Sequence, residues 1–365
     1  MQERAIKVFI VDDSAIARTT IGALLEGESD ISLHGVASDP IIAESKFERF
    51  GWPDVIILDI EMPRMDGLTF LRKIMSEHPT PVIICSSVAQ KGSSKAIEAL
   101  FLGAVEVIAK PEVGLKIFLE ESKYTLIHAI KAANESKSGM VQTRSLPRQG
   151  SYRTLIPKID ADAILPLKSK LAHNLTHPLI AIGSSTGGVQ TLEKIIPFLS
   201  QKTPPILIVQ HMPEGFTRSL SERLNRMCTM CVKEAKDGDK LCYGQVLIAP
   251  GNKHMTLKRL ANTYVVEIKD GPKVSRHKPS IDVLFRSCAN EAGTNGIGFL
   301  LTGMGDDGAK GLKEMKERGA KTYAQDKESC IVYGMPKVAV ELGAVMDVLT
   351  LDAIVETIKK SENVH

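Results

Sequence analysis

Short apolar runs alternate with amphipathic stretches along most of the chain. Lys7–Val11, Ser32–Val36, Asp54–Leu58, Pro81–Cys85 and Val105–Ile108 each read as a strand. Between them the apolar spacing changes to that of helices: Ala15 to about Glu26, a stretch opening at Asp39-Pro40, one led in by Met65-Asp66-Gly67 and running through Met75, one near Ser93–Leu102, and a last one ending near Ala133. Ser14 and Asp39 are placed to cap the first two. The second half repeats the alternation. Leu179–Ile182, Ile206–Val209, Gln245–Ala249, Gly296–Leu301, Thr322–Gln325 and Val345–Leu349 read as strands. Helical spacing covers Val189–Leu199, Thr217–Met227, Ile281–Ala289 and a stretch ending near Arg318. Met255–Leu260 and Tyr264–Ile268, joined at Ala261-Asn262, predict an antiparallel hairpin. Strands apolar on both faces, separated by helices, imply parallel sheets covered on both sides. The expected fold is α/β: an N-terminal (βα)5 domain, then a doubly wound, mostly parallel domain carrying the hairpin.

Residues 134–176 break the pattern. Ser136, Ser138, Gly139, Pro147, Gly150 and Ser151 mix there with Lys137, Arg144, Arg148 and Arg153, which predicts a linker between domains at 1–133 and 177–365. Leu155, Ile156, Ile164, Leu165 and Leu167 predict that its later part docks on a domain. A length of 365 residues suits two domains, and a net charge of +3 carries no nucleic-acid footprint. No apolar run nears the ~20 residues of a membrane span, and the charged start does not resemble a signal peptide. Six scattered cysteines fit a reduced, cytoplasmic protein; Cys228-Thr-Met-Cys231 has ligand spacing but no second pair.

In parallel sheets the chemistry gathers at the carboxyl ends of the strands. In the first half those ends offer Asp12, Asp13, Asp59, Ser86 and Lys110. Converging carboxylates repel one another unless a hard cation such as Mg²⁺ joins them. Asp59 is then a plausible phosphoryl acceptor, with Ser86 and Lys110 holding its oxygens. In the second half, Gly183-Ser184-Ser185-Thr186-Gly187 fits the Gly-x-Ser-x-Gly turn that presents a nucleophilic serine between strand and helix. His211 ends the next strand, and Asp306 or Asp307 ends another. A nucleophile, a base and an orienting acid are the parts of an acyl-transfer triad. Gly303-Met-Gly305-Asp-Asp-Gly308, with Asp326 further on, also satisfies a dinucleotide fingerprint, although two acids inside the loop would repel a pyrophosphate. Cys330 follows a strand with no adjoining histidine and reads as packing.

Two resemblances follow from these residues. Asp12-Asp13, Asp59 before Met62-Pro63, Asp66-Gly67, Ser86 and Lys110-Pro111 resemble a response-regulator receiver domain over about residues 5–133. That resemblance implies phosphorylation of Asp59 by a histidine kinase, and Mg²⁺ at Asp13, Asp59 and the Glu61 carbonyl. Gly183–Gly188, Gln210-His-Met-Pro213 with Gly215-Phe-Thr-Arg218, Asp270-Gly-Pro272, Arg276-His-Lys-Pro-Ser280 and Leu301–Gly308 resemble the chemotaxis protein-glutamate methylesterase family, CheB. This second resemblance implies Ser185 as nucleophile, His211 as base, Asp307 as orienting acid, and the Thr186 and Met304 N–H groups as oxyanion donors. It also implies methyl-accepting chemoreceptors as substrate, the histidine kinase CheA as phosphodonor, an accompanying glutamine deamidase activity, and an unphosphorylated receiver that covers the catalytic cleft until Asp59 is phosphorylated. The family's loop reads Asn-Asp-Gly where this chain has Asp306-Asp307-Gly308. A receiver-regulated dinucleotide enzyme and a non-catalytic receptor-docking module are the alternatives, separated from an esterase by cofactor binding and by binding without methanol release.

Overall fold

A computed structural model of the chain describes residues 4–86, 92–110, 116–140, 158–169, 177–261 and 263–363. Ser87, Pro111, Leu155, Ile156, His173 and Asn262 lie outside them. The chain divides into two compact units, Met1–Thr143 and Arg144–His365.

The first unit runs β1 (Ile6–Val11), α1 (Ala15–Leu25), β2 (Ile31–Ala37), α2 (Pro40–Phe50), β3 (Val55–Leu58), α3 (Gly67–Glu77), β4 (Val82–Ser86), α4 (Gly92–Phe101), β5 (Glu106–Ala109) and α5 (Lys116–Met140). The five strands form one parallel sheet in the order β2-β1-β3-β4-β5. β3 and β4 are buried along their whole length, which is why they read as unbroken apolar runs. The helix starts follow from their caps: Ser14 Oγ accepts from Ala17 N at 3.3 Å, Asp39 Oδ1 from Ile42 N at 3.1 Å and Asp66 Oδ1 from Thr69 N at 2.9 Å. α5 continues past residue 133 to Met140, through the start of the segment read as a linker. Nothing in Asn134–Ser138 breaks a helix, and Ser136 is buried, its hydroxyl donating to the Ala133 carbonyl at 2.6 Å.

The second unit runs β6 (Leu179–Ser184), α6 (Gly188–Glu193), β7 (Ile206–Gln210), α7 (Phe216–Met227), β8 (Cys231–Glu234), β9 (Gln245–Ile248), β10 (His254–Leu260), β11 (Thr263–Lys269), α8 (Ile281–Glu291), β12 (Gly296–Leu300), α9 (Ala309–Glu317), β13 (Lys321–Gln325), α10 (Met335–Glu341), β14 (Asp347–Leu349) and α11 (Leu351–Lys360). Seven strands form a parallel sheet in the order β14-β13-β12-β6-β7-β9-β8, and β10 and β11 form the antiparallel hairpin. From β6 the chain builds outward through β7 to one side and returns with β12 on the other. β6 therefore stands at a topological switch point, where parallel sheets open a crevice at their carboxyl ends. α8 lies in the core with Leu284, Phe285 and Cys288 fully buried among residues of β6, β7 and the hairpin.

Three features depart from the sequence reading. The helix expected over Val189–Leu199 stops at Glu193 and re-forms as a 3₁₀ turn at Ile196–Phe198, because Pro197 cannot donate to an α-helical ladder. β8 and α10 carry signals too short to anticipate, and β8 buries only Val232; α11 was not read from the sequence although Leu351, Ile354, Val355 and Ile358 stand at helical spacing behind the Thr350 cap. Residues 158–169 dock partly as expected: Ile164 and Leu165 pack against Val274 and Val283, whereas Leu167 is exposed. Arg286 Nη1 reaches Asp162 at 2.5 Å and Lys168 N donates to Asn290 Oδ1 at 2.9 Å, so polar contacts rather than Leu167 secure the end of this segment. Among the described residues no helix is long and apolar enough to cross a membrane, and all six cysteines are free thiols.

Candidate active site and phosphoacceptor cluster

In the first unit the strand ends bring Asp12, Asp13, Asp59, Ser86 and Lys110 to one edge of the sheet. Oxygen atoms of Asp12, Asp13 and Asp59 all lie within 4.8 Å of one another. Asp12 and Asp59 are buried and Asp13 is exposed, so the cluster is open on one side. Lys110 Nζ lies 2.8 Å from both Asp12 Oδ2 and Asp59 Oδ2. Burial alone would lower the pKa of this ammonium, but its hydrogen bonds to the two carboxylates outweigh burial and raise it. Burial raises the pKa of Asp59, and the Lys110 ammonium opposes it. The donor set is all oxygen with one exposed face, which fits a hard divalent cation. Ser86 ends β4, and its carbonyl accepts from Lys110 N at 2.9 Å, locking the two strand ends together. The Glu61 carboxylate pairs with Lys95, 3.1 Å away. Gly67 explains the Asp66-Gly67 pair: a Cβ there would lie 2.1 Å from the Asp59 carbonyl oxygen, so only glycine lets α3 begin this close to Asp59.

In the second unit β6 pairs with β7 so that Ser184 faces Gln210, and Ser185 and His211 follow them. His211 N donates to the Ser184 carbonyl at 3.0 Å, and Ser185 N donates to the Thr302 carbonyl beyond β12 at 3.0 Å. Buried Gln210 staples this junction: its Oε1 accepts from Ser184 Oγ at 2.7 Å and its Nε2 donates to the Ser185 carbonyl at 2.9 Å. The left-handed residue of the turn is Gly187, with φ 78°, rather than the serine itself. Ser185 is thus presented by hydrogen bonds from two neighbouring strand ends.

His211 Nε2 lies 2.8 Å from Asp307 Oδ2, with the Asp307 side chain fully buried. The carboxylate also accepts from Ile281 N at 2.8 Å, Asp282 N at 3.0 Å and Ser280 Oγ at 2.8 Å. It therefore sits on the N-terminus of α8, where backbone donors and the helix dipole favour an anion. Burial would raise the Asp307 pKa; His211 and these donors overcome it and hold the pKa below the usual carboxylate range. Asp306, one residue earlier, points away to an ion pair with Lys158. His211 Nδ1 is buried and makes no hydrogen bond.

The Thr186 carbonyl accepts from Thr302 Oγ1 at 3.0 Å. A Cβ on Gly303 would lie 2.7 Å from the Ser185 Cβ, so the Gly303–Met304 backbone passes directly against the serine. Cys330 is no rival nucleophile, because burial raises the pKa of its thiol.

Two residues of this site were not singled out by sequence reasoning. Asp282 is buried, with Oδ1 accepting from Gly308 N at 3.0 Å and Gly311 N at 2.8 Å and Oδ2 from Ser275 Oγ at 2.9 Å. Its pKa is raised, first by burial and then by the Asp307 charge beside it. This carboxyl takes the N–H groups at the start of α9 that a dinucleotide pyrophosphate would need, which removes the basis of the fingerprint reading. Asp282→Ala strands two buried N–H donors at about 1–3 kcal/mol each, whereas Asp282→Asn keeps an oxygen for them and costs under about 1 kcal/mol. Thermal unfolding of the two variants checks this difference. The second residue is His277, whose ring stacks on that of His211 at a centroid distance of 3.7 Å and an angle of 4°. Its only sequence signal was its place in Arg276-His-Lys.

Comparisons with known proteins match both units to known families. A family model described as CheB methylesterase matches residues 180–358, and one described as response regulator receiver domain matches residues 8–118. A protein-glutamate methylesterase/protein-glutamine glutaminase of Shewanella oneidensis is 52% identical over 97% of this chain and 98% of its own length. Another, from Chromobacterium violaceum, is 52% identical over 97% of this chain and 99% of its own. The crystal structure of the Thermotoga maritima CheB methylesterase catalytic domain covers 51% of this chain and 99% of its own, at 40% identity and a TM-score of 0.50. With both units matched in order and near-full-length relatives at half identity, the chain belongs to the CheB methylesterase family and carries a response-regulator receiver domain ahead of its esterase domain.

Proposed function

We propose that the chain hydrolyses glutamate γ-methyl esters on methyl-accepting chemoreceptors, under the control of phosphorylation at Asp59. Receiver function is assigned to residues 1–133 and hydrolysis to 177–365, joined by 134–176. The observation that carries the esterase reading is the buried His211–Asp307 hydrogen bond of 2.8 Å, one strand away from Ser185. With the Nε2 proton held by Asp307, Nδ1 bears the lone pair and is the base. Ser185 Oγ attacks the ester carbonyl as His211 Nδ1 takes its proton. The Thr186 and Met304 N–H groups stabilise the oxyanion, each contributing on the order of 10²-fold. Collapse expels methanol, which leaves with the proton from His211. Water then attacks the acyl-enzyme with His211 again as base, releasing glutamate and restoring Ser185. Glutamine side chains meet the same chemistry with ammonia as leaving group, which accounts for a deamidase activity.

On the receiver side, Asp59 is the phosphoryl acceptor, Lys110 and Ser86 hold the phosphoryl oxygens, and Asp12 supports Lys110. Asp13, Asp59 and the Glu61 carbonyl would hold Mg²⁺, which supplies charge neutralisation for the transferred group. The phosphodonor is the histidine kinase CheA and the setting is the cytoplasm. The test is methanol release from methylated chemoreceptor membranes, with Mg²⁺ and a small phosphodonor present or withheld. Wild type releases methanol faster with phosphodonor; in Asp59→Asn the two rates become equal. A phosphodonor response that survives in Asp59→Asn would overturn the control, and no release from folded wild type would overturn the esterase reading.

A further inference from the structure

His211 is held by a single hydrogen bond. Nε2 meets Asp307 at 2.8 Å, and Nδ1, on the other side of the ring, has no partner. The Cβ–Cγ bond and the contact at Nε2 hold two points of the ring, and rotation of the ring plane about the line between them is what remains to be restrained. A ring face packed on His211 supplies such a restraint. The His277 ring lies face to face with His211, 3.7 Å between centroids and 4° from parallel. A flat surface at that distance blocks rotation of the ring out of its plane while touching neither ring nitrogen's in-plane lone pair.

His277 is itself carried on a rigid support. The turn Val274–His277 is closed at both ends, with Val274 N donating to the His277 carbonyl at 3.0 Å and His277 N to the Val274 carbonyl at 2.8 Å. Ser275 and Arg276 are both in the left-handed region, at φ 49° and 70°, which non-glycine residues adopt only when their surroundings impose it. Those surroundings are explicit. Val274 is buried, Ser275 N donates to the Ile159 carbonyl at 2.8 Å, and Ser275 Oγ donates to Asp282 Oδ2 at 2.9 Å. Asp282 simultaneously takes the Gly308 and Gly311 N–H groups next to Asp307. One buried carboxyl thus braces both the acid that holds one edge of the His211 ring and the turn that supports its face.

We infer that His277 is a positioning residue for the esterase: its ring face sets the plane of His211, the ring proposed to take the Ser185 proton. This rests on the proposed function, and the role assigned to His277 acts through the His211 ring rather than on the ester itself. A 1 Å misplacement of a catalytic group costs up to about 10²-fold. His277→Ala should therefore lower kcat for methyl-ester hydrolysis by about 10- to 100-fold with KM little changed. His277→Phe, which keeps a flat face and no titratable nitrogen, should restore most of that loss. Thermal unfolding identifies any variant that has lost its fold. Hydrolysis of p-nitrophenyl acetate, a small ester with no receptor surface, should fall and recover in parallel, separating ring positioning from receptor docking. Full kcat in His277→Ala overturns the inference, as does a folded His277→Phe no better than His277→Ala. A wild type inactive on both esters overturns the underlying esterase reading instead.

Discussion

Ser185→Ala is expected to lower methyl-ester hydrolysis by on the order of 10⁶-fold, the scale at which loss of a serine nucleophile leaves only oxyanion and binding contributions. The backbone around Ser185 does not depend on its hydroxyl. Its N–H donates to the Thr302 carbonyl, its carbonyl accepts from Gln210, and Gly187 carries the left-handed turn. Removing the oxygen therefore leaves the fold and the His211–Asp307 pair in place, and the variant should unfold at the wild-type temperature. Methanol release from methylated receptors, read with phosphodonor present, checks the rate. Substantial activity would remove Ser185 from the chemistry and send the search for a nucleophile elsewhere in the second unit.

Asp307→Asn is expected to cost on the order of 10⁴-fold in kcat, through loss of the charge and of the tautomer it imposes on His211. An amide also cannot satisfy the pocket. Both Asp307 oxygens accept from backbone N–H groups, Oδ1 from Asp282 and Oδ2 from Ile281, so the new NH₂ must face a donor in either orientation. A stability loss of about 1–3 kcal/mol accompanies the rate loss. Asp306→Asn is the matched control. Asp306 is half-exposed and pairs with Lys158 at the surface, where an ion pair is worth about 0–1 kcal/mol. Its removal should leave kcat close to wild type. Equal losses in the two variants would mean that the choice between neighbouring acids has been made wrongly.

Much of this architecture was legible along the chain. Buried parallel strands must be apolar on both faces, so each appears as an uninterrupted run, and the first polar residues after it stand at the sheet's carboxyl edge. That is why Asp12, Asp59, Ser86 and Lys110, and separately Ser185, His211 and one of Asp306 and Asp307, could be picked out together from the sequence. Caps at Ser14 and Asp39 were equally visible, since a short polar side chain before an apolar period serves the backbone of its own helix. Local signals failed where the structure is decided by partners far away in the chain. The helix after the Ser185 turn is broken by Pro197, β8 pairs at the sheet edge with one buried side chain, and α5 runs on because nothing local stops it.

The sequence by itself determined the α/β alternation, the order of two domains, and the set of polar groups that reach the strand ends, because burial and periodicity are written residue by residue. Only the tertiary structure decided what those groups do to one another. Asp306 and Asp307 are indistinguishable as neighbours in a row of letters; the N-terminus of α8 selects Asp307 by offering it three donors and His211, and leaves Asp306 to a surface lysine. Likewise the residues around His277 and Asp282 do not tell that His277 stacks on His211, 66 residues away, or that Asp282 N donates to Asp307, 25 residues away. Hydrogen bonds and ring faces between distant segments exist only once the sheet has brought those segments together.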